Sequence, residues 1–153
     1  MDTLTPQERS AVMSRIRSTG TRPEKYVARL LKAAGYKCRL HSKRLPGTPD
    51  IALVDFKVAV EVRGCFWHLH RGCAAGRIPH SRHAWWKAKL ERNARRDANN
   101  LRAMARLGWK TLVVWECLVR RAQGANAARV AAVILDAVPC LVSSKRWHLK
   151  LGA

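Results

Sequence analysis

The ten residues Gly64-Cys65-Phe66-Trp67-His68-Leu69-His70-Arg71-Gly72-Cys73 constrain this chain more than any other stretch, because they crowd metal ligands, adjacent aromatic rings and a titratable histidine into one short segment. Cys65-x4-His70-x2-Cys73 offers three soft or borderline ligands. Cys117, after Val113-Val114-Trp115-Glu116, supplies the fourth for a tetrahedral Cys3His zinc site. The rival reading is a buried cysteine pair with solvent-facing histidines. Four protein ligands leave no open position, so an ion held there is structural and pins the 63–73 loop to a strand ending near Cys117. Catalysis then has to come from elsewhere.

The chain has 153 residues, enough for one domain with a single buried core. Its 30 Lys and Arg against 10 Asp and Glu give a net charge of +20, and a field of that strength calls for a polyanionic partner, the nucleic-acid backbone first among them. Binding to an anionic membrane is disfavoured, since no segment approaches the uninterrupted apolar length of a span. Met1-Asp2-Thr3-Leu4-Thr5-Pro6 has neither a basic stretch nor an apolar one, which points to a cytoplasmic protein. Five cysteines, partly at ligand spacing, read as metal ligands rather than disulfides, with Cys38 and Cys140 as ordinary buried thiols.

Two helix starts are written near the N-terminus, Thr5-x-x-Glu8 with Pro6, and Thr21-x-x-Glu24 ahead of Val27, Leu30, Leu31 and Ala34. The first helix, near 6–17, carries Arg9, Arg15 and Arg17 with few large apolar groups and is expected to be a basic arm over 1–20 that orders on nucleic acid. The main domain is expected over 21–138. Gly35 ends the second helix, and a strand follows over 37–41. Ser42 to Pro49 is a loop that delivers the chain to Asp50, and Ile51–Val54 with Lys57–Val62 reads as a hairpin around Asp55-Phe56. The pattern Trp86, Leu90, Ala94, Asp97, Leu101, Ala105 predicts a long helix from about 81 to 107, with an acid inside its mainly apolar stripe. A buried strand over 109–115 and an apolar helix over 125–137 complete the pattern, and the tail over 139–153 suggests no element.

Pro49-Asp50 followed by a hairpin ending Glu61-Val62-Arg63 looks like the PD-(D/E)xK nuclease signature with Arg in the lysine position. An Asp at a strand start projects a hard carboxylate suited to Mg2+, which polarises a phosphate; the competing reading is a turn-capping acid after proline. His68 lies between the zinc ligands and is free to serve as a general base if His70 takes the ion, or else is an idle loop residue. Phe66-Trp67 and Trp85-Trp86 set large rings beside many cations, a pairing that wedges between base steps or stacks on bases. Trp67 and Trp86 are expected to be the exposed member of each pair.

With those residues assembled, the chain resembles the very-short-patch mismatch repair endonucleases, the Vsr family, from Arg15 to about Val119. The carrying motifs are Leu45-Pro46-Gly47-Thr48-Pro49-Asp50, Gly64-Cys65-Phe66-Trp67-His68, Asn93-x-x-x-Asp97, Leu107-Gly108-Trp109 and Val113-Val114-Trp115-Glu116-Cys117. The resemblance implies a restriction-endonuclease-like α/β single domain with a central mixed sheet flanked by helices, and nicking on the 5′ side of the T in a T·G mismatch left by deamination of 5-methylcytosine. It implies Asp50 and the Val62 backbone carbonyl as ligands of catalytic Mg2+, His68 as general base, and Glu24 and Asp97 as supports. Cys65, His70, Cys73 and Cys117 would hold structural Zn2+; Phe66, Trp67 and Trp86 would form the wedge, with Arg15, Arg17 and Arg63 on the DNA. Val62 stands where members often carry Thr, and Arg63 where His or Asp is common. Glu61 is either an added metal ligand or the partner of a nearby cation. The expected partner is double-stranded DNA with a T·G mismatch, bound by a monomer with a functional link to a C5-cytosine DNA methyltransferase. The rival functions are a PD-(D/E)xK nuclease acting on intact duplex and a noncatalytic zinc-stabilised DNA-binding module.

Overall fold

The computed structural model describes residues 19–122, 124 and 126–152. The expected helix over 6–17, with Arg15 and Arg17, lies outside them. Helix α1 (Arg22–Ala33) starts where the capping pattern puts it. Thr21 Oγ1 accepts the Glu24 N–H at 3.4 Å, and the Glu24 carboxylate reaches back to the Gly20 N–H and the Thr21 hydroxyl, each at 2.7 Å, so cap and acid satisfy one another. Val27 and Leu31 on its inner stripe are fully buried, and Gly35 stops it at φ +89°.

Five strands form one sheet, and their order across it is their order in the chain: β1 (Cys38–Leu40), β2 (Ile51–Leu53), β3 (Val58–Arg63), β4 (Lys110–Trp115) and β5 (His148–Leu151). The first two pairings are antiparallel and the last two parallel, so the sheet is mixed, as expected. A 3-10 turn over Val54–Phe56, with Lys57 at φ +48°, closes the β2–β3 hairpin and sets Ile51 opposite Val60. Parallel strands need crossovers. Helix α2 (His83–Arg106) spans the first, and α3 (Glu116–Arg120) with α4 (Asn126–Ser143) the second.

The central strands are apolar on both faces because both faces are covered. Val58, Val60, Leu112 and Val114 pack with Val27 and Leu31 of α1 and with Val130 and Ile134 of α4. Val113 and Trp115 point the other way, with Cys65 and Leu101. Helix α2 covers that second face, with Trp86, Leu90, Asp97 and Met104 as its buried residues. Alternate residues of β4 therefore serve two cores, and both parallel strands end on the side from which the Cys/His segment and Glu116-Cys117 emerge.

Several expectations are corrected. Helix α4 does not stop near Ala137 but runs through Pro139 to Ser143. Val138 and Leu141, each 1 % exposed, extend its buried stripe. Burying two such side chains gains about 3–6 kcal/mol, against roughly 3 kcal/mol for an interior proline. Lys110 Nζ then donates to the carbonyls of Leu141 (2.9 Å), Val142 (2.8 Å) and Ser144 (2.6 Å), closing the helix end. Beyond it, where the sequence suggested no element, β5 joins β4, and the Thr111 N–H bonds the Trp147 carbonyl at 2.9 Å. By length and composition α4, with a mean hydropathy of 1.5, is apolar enough to cross a membrane, against the expectation that no segment is. In the fold its Val130, Ile134, Ala137, Val138 and Leu141 are core residues. Cys140 is exposed rather than buried, and Cys38 is half-buried.

Candidate active site and metal centre

Asp50 comes to the sheet from the loop whose Gly47 (φ +74°) lies against α2. Its left-handed φ favours glycine, and a Cβ there would fall 2.5 Å from Asn100 Nδ2, so the Asn100 side chain would have to move. Asp50 Oδ2 accepts the Val62 N–H at 2.7 Å, across the point where β3 outruns β2. In an extended strand the N–H and C=O of one residue share an edge, so the Val62 carbonyl opens on the side of the Asp50 carboxylate. Burial pushes the Asp50 carboxyl up to about 6, with the Glu24 and Glu61 charges adding to it and the Val62 N–H and His41 opposing. Glu24 is buried, and His41 Nε2 stands 3.9 Å from its Oε2. Ligand atoms of Glu24, His41 and Asp50 all lie within 4.8 Å of one another. Sequence reasoning missed His41. Its signal was the antiparallel register Leu40↔Ile51, which sets residue 41 opposite residue 50.

His68 leaves the same end of the sheet five residues after β3. Its Nδ1 meets Asp97 Oδ2 of α2 at 2.6 Å, and one turn earlier Asn93 Nδ2 donates to the Trp67 carbonyl at 3.1 Å. Helix α2 thus grips the loop at two points, which explains an acid in an apolar stripe. Burial raises the Asp97 carboxyl, but the hydrogen bond and charge of His68, together with Arg63 and Arg96, outweigh it and hold it below its usual range. With the carboxylate on Nδ1, that nitrogen carries the proton and Nε2 is left as the acceptor. Arg63 is 6 % exposed; its Nε donates to Glu61 at 2.8 Å, and Nη1 lies 3.7 Å from Asp97 Oδ2. Glu61 therefore takes the second of its two readings, as the partner of a cation. Arg63, expected on the DNA, has its side chain buried between two acids.

Phe66, Trp67 and Trp86 form one cluster, with centroids 5.1 Å apart from Phe66 to each tryptophan and 6.0 Å between the two. Exposure at the second pair is the reverse of expectation, Trp86 being 8 % and Trp85 44 % exposed. The reason is helical phase: Trp86 shares the buried face of Leu90 and Asp97, and Trp85 is turned roughly 100° from it. Trp85 instead carries cations, Arg82 at 5.1 Å and Lys89 Nζ at 4.9 Å from its ring.

On the α2 face, Cys65, His70, Cys73 and Cys117 converge, with ligand atoms within 4.8 Å of one another. His70 Nδ1 is 3.4 Å from Cys65 Sγ and 3.5 Å from Cys117 Sγ. Metal–sulfur bonds of about 2.3 Å and metal–nitrogen bonds of about 2.05 Å at a tetrahedral angle require roughly 3.6 Å, so the set fits a tetrahedral ion. The His70 ring stacks on Trp115 at 4.1 Å. Gly76 closes tightly beneath, where a Cβ would fall 2.4 Å from the His70 carbonyl. Burial, joined by the neighbouring thiols, pushes the Cys65 thiol up to about 12, while the Ala75 N–H draws Cys73 down.

Buried carboxylates, an Asp-bound histidine and a closed Cys/His cluster at one end of a mixed sheet suit an enzyme that hydrolyses phosphodiesters, and known relatives put this one among the endonucleases. The profile of the family described as DNA mismatch endonuclease Vsr matches residues 1–75. The chain is 47 % identical over 116 residues to the type II nicking enzyme V.XorIIP of Xanthomonas oryzae pv. oryzae, covering 76 % of this chain and 85 % of that one. It is 40 % identical to the type II nicking enzyme V.NmeAIP of Neisseria meningitidis, covering 76 % and 82 %. To the DNA mismatch endonuclease Vsr of Escherichia coli it is 36 % identical over 112 residues, covering 73 % and 71 %. The chain belongs to the Vsr endonuclease family.

Proposed function

We propose that this endonuclease nicks duplex DNA on the 5′ side of the T in a T·G mismatch, in repair of deaminated 5-methylcytosine, with Mg2+ at the active site and Zn2+ in the Cys/His cluster. The observation that carries the reading is the convergence of the Asp50 edge and the His68–Asp97 pair at one end of the sheet of a Vsr-family chain. The fold is read as the PD-(D/E)xK type, with a basic arm over 1–20 ahead of a core that, instead of ending at 138, includes the end of α4 and β5.

Asp50 and the Val62 carbonyl hold the catalytic cation, and Glu24 supports it from α1. A Mg2+ ion held by these groups would supply Lewis-acid polarisation of the scissile phosphate. His68 Nε2, the ring nitrogen left free by Asp97, accepts the proton of the attacking water, and Asp97 keeps the imidazole in that tautomer as its charge develops. His68 itself, with Arg63 braced by Glu61 adding to it, holds the Asp97 carboxyl below its usual range. Cys65, His70, Cys73 and Cys117 fix the loop that carries His68, leaving no open position for substrate. Phe66 and Trp67, backed by Trp86, wedge into the mismatch, where a wobble pair stacks less well than a matched one. The protein acts as a monomer, its basic surface on the phosphates, in cells whose C5-cytosine DNA methyltransferase makes the 5-methylcytosine that deaminates to the T·G lesion.

The test is a nicking assay on T·G and T·A duplexes of one sequence with Mg2+ titrated. A nick 5′ of the mismatched T, absent from T·A and dependent on Mg2+, supports the reading. Equal cleavage of T·A sinks it in favour of a nuclease for intact duplex.

A further inference from the structure

We infer that His41, together with Glu24, is a further protein ligand of the cation held by Asp50, and that this oxygen-and-nitrogen set prefers Mn2+ to Mg2+. Three separate elements bring the set together: Glu24 from the first turn of α1, His41 just after β1, and Asp50 just before β2. Their ligand atoms lie within 4.8 Å of one another. The 3.9 Å between His41 Nε2 and Glu24 Oε2 is too long for a hydrogen bond and falls between the cis and trans separations of two ligands on one ion. Bonds of about 2.1–2.2 Å put ligand atoms roughly 3.0 Å apart when cis and 4.3 Å when trans. The backbone supports the aim. His41 holds φ +46°, a left-handed conformation uncommon outside glycine, while its N–H bonds the Asp50 carbonyl at 3.1 Å. Glu24 Oε1 and Oε2 each accept one bond from the cap, from the Thr21 hydroxyl and the Gly20 N–H, which fixes the carboxylate while each oxygen keeps a second lone pair for a cation.

The chemistry follows from the donor set. Mg2+ takes oxygen ligands in a near-ideal octahedron and dehydrates reluctantly, whereas imidazole suits first-row transition ions. An imidazole among two carboxylates therefore biases the site toward Mn2+. This rests on the reading of Asp50 as ligand of the active-site cation, and the experiment separates the two.

The zinc-loaded full chain, without DNA, is titrated with Mn2+ and with Mg2+ by calorimetry, and its Mn2+ form is measured by electron spin-echo spectroscopy, which detects a coordinated nitrogen. Expected is nitrogen modulation in the wild type that vanishes in His41→Gln. Mn2+ affinity should fall about tenfold or more in that variant while Mg2+ affinity moves less than about twofold. His41→Asp, an all-oxygen set tolerant of the same φ, should shift the preference back toward Mg2+. Modulation that persists in His41→Gln, or its absence from the wild type, overturns the inference. Nitrogen modulation in a protein that fails to nick T·G duplex leaves His41 as ligand and removes only the catalytic reading; nicking without modulation does the reverse.

Discussion

Asp50 shows how one side chain sets function against stability. Its carboxyl is raised from 3.8 to about 6, so the folded state favours the protonated form. The resulting cost is absent below the unfolded value, grows from pH 4 to 6, and above that amounts to about 3 kcal/mol at most. Asp50→Asn keeps an oxygen for the Val62 N–H and loses the buried charge. In magnesium-free buffer at pH 8 its melting temperature should therefore exceed that of the wild type, by several degrees, with the advantage gone at pH 4; its nicking should be abolished. A melting curve lower than wild type at pH 8 refutes the argument. His68→Ala should slow single-turnover nicking by roughly 10²–10⁴-fold with zinc retained, and a near-normal rate would move the base elsewhere. The tryptophans divide by burial. Trp86→Ala should cost about 3–5 kcal/mol in denaturant unfolding, whereas Trp85→Ala, on an exposed ring, should leave stability within about 0.5 kcal/mol. The double variant Trp67→Ala, Trp85→Ala should keep the fold and lose binding preference for T·G over T·A; unchanged preference would assign discrimination to base edges.

At the scale of elements, much was legible because the signals were local. The Thr21–Glu24 cap, the β-branched run of β3 and the spacing of α2 each specify their element within a few residues, and the structure puts all three close to where they were read. The candidate zinc ligands were legible for the same reason, since three sit within nine residues. What was missed depends on pairing across distance. His41 gains meaning only once β1 lies antiparallel to β2, and Trp85 differs from Trp86 only once the phase of α2 against the sheet is known. Strand β5 is four residues of alternating exposure, too short to announce itself before β4 offers an edge. The α4 boundary was misjudged because Pro139 is a strong local stop that burial of Val138 and Leu141 overrides. Lys110 makes the point testable. Its ammonium serves three carbonyls at the end of α4, so Lys110→Met should cost about 1–3 kcal/mol and speed amide exchange over 141–151 before the rest of the sheet.

Across the whole molecule, the Cys/His cluster joins the two crossovers, with candidate ligands from the loop after β3 and from the first turn of α3. Cys117→Ser should release the metal and lower the melting temperature of the entire domain; full zinc content with unchanged melting would remove Cys117 from the set. The net charge of +20 acts on the same scale, so nonspecific DNA affinity should fall steeply with salt in wild type and Asp50→Asn alike. Gly152, beside this cluster, carries one more consequence. Its carbonyl sits 3.3 Å from Cys117 Sγ, and a Cβ in its place would fall 2.9 Å from that of Trp115. The loop after β3 leaves the ribosome early, yet the pocket for its ion has no far wall until β4 and then residues 148–152 have emerged. An ion held by Cys65, His70, Cys73 and Cys117 would thereby be walled in only once residues 148–152 have joined the sheet, and a chain in which β5 has not yet paired would leave these thiols open to oxidation.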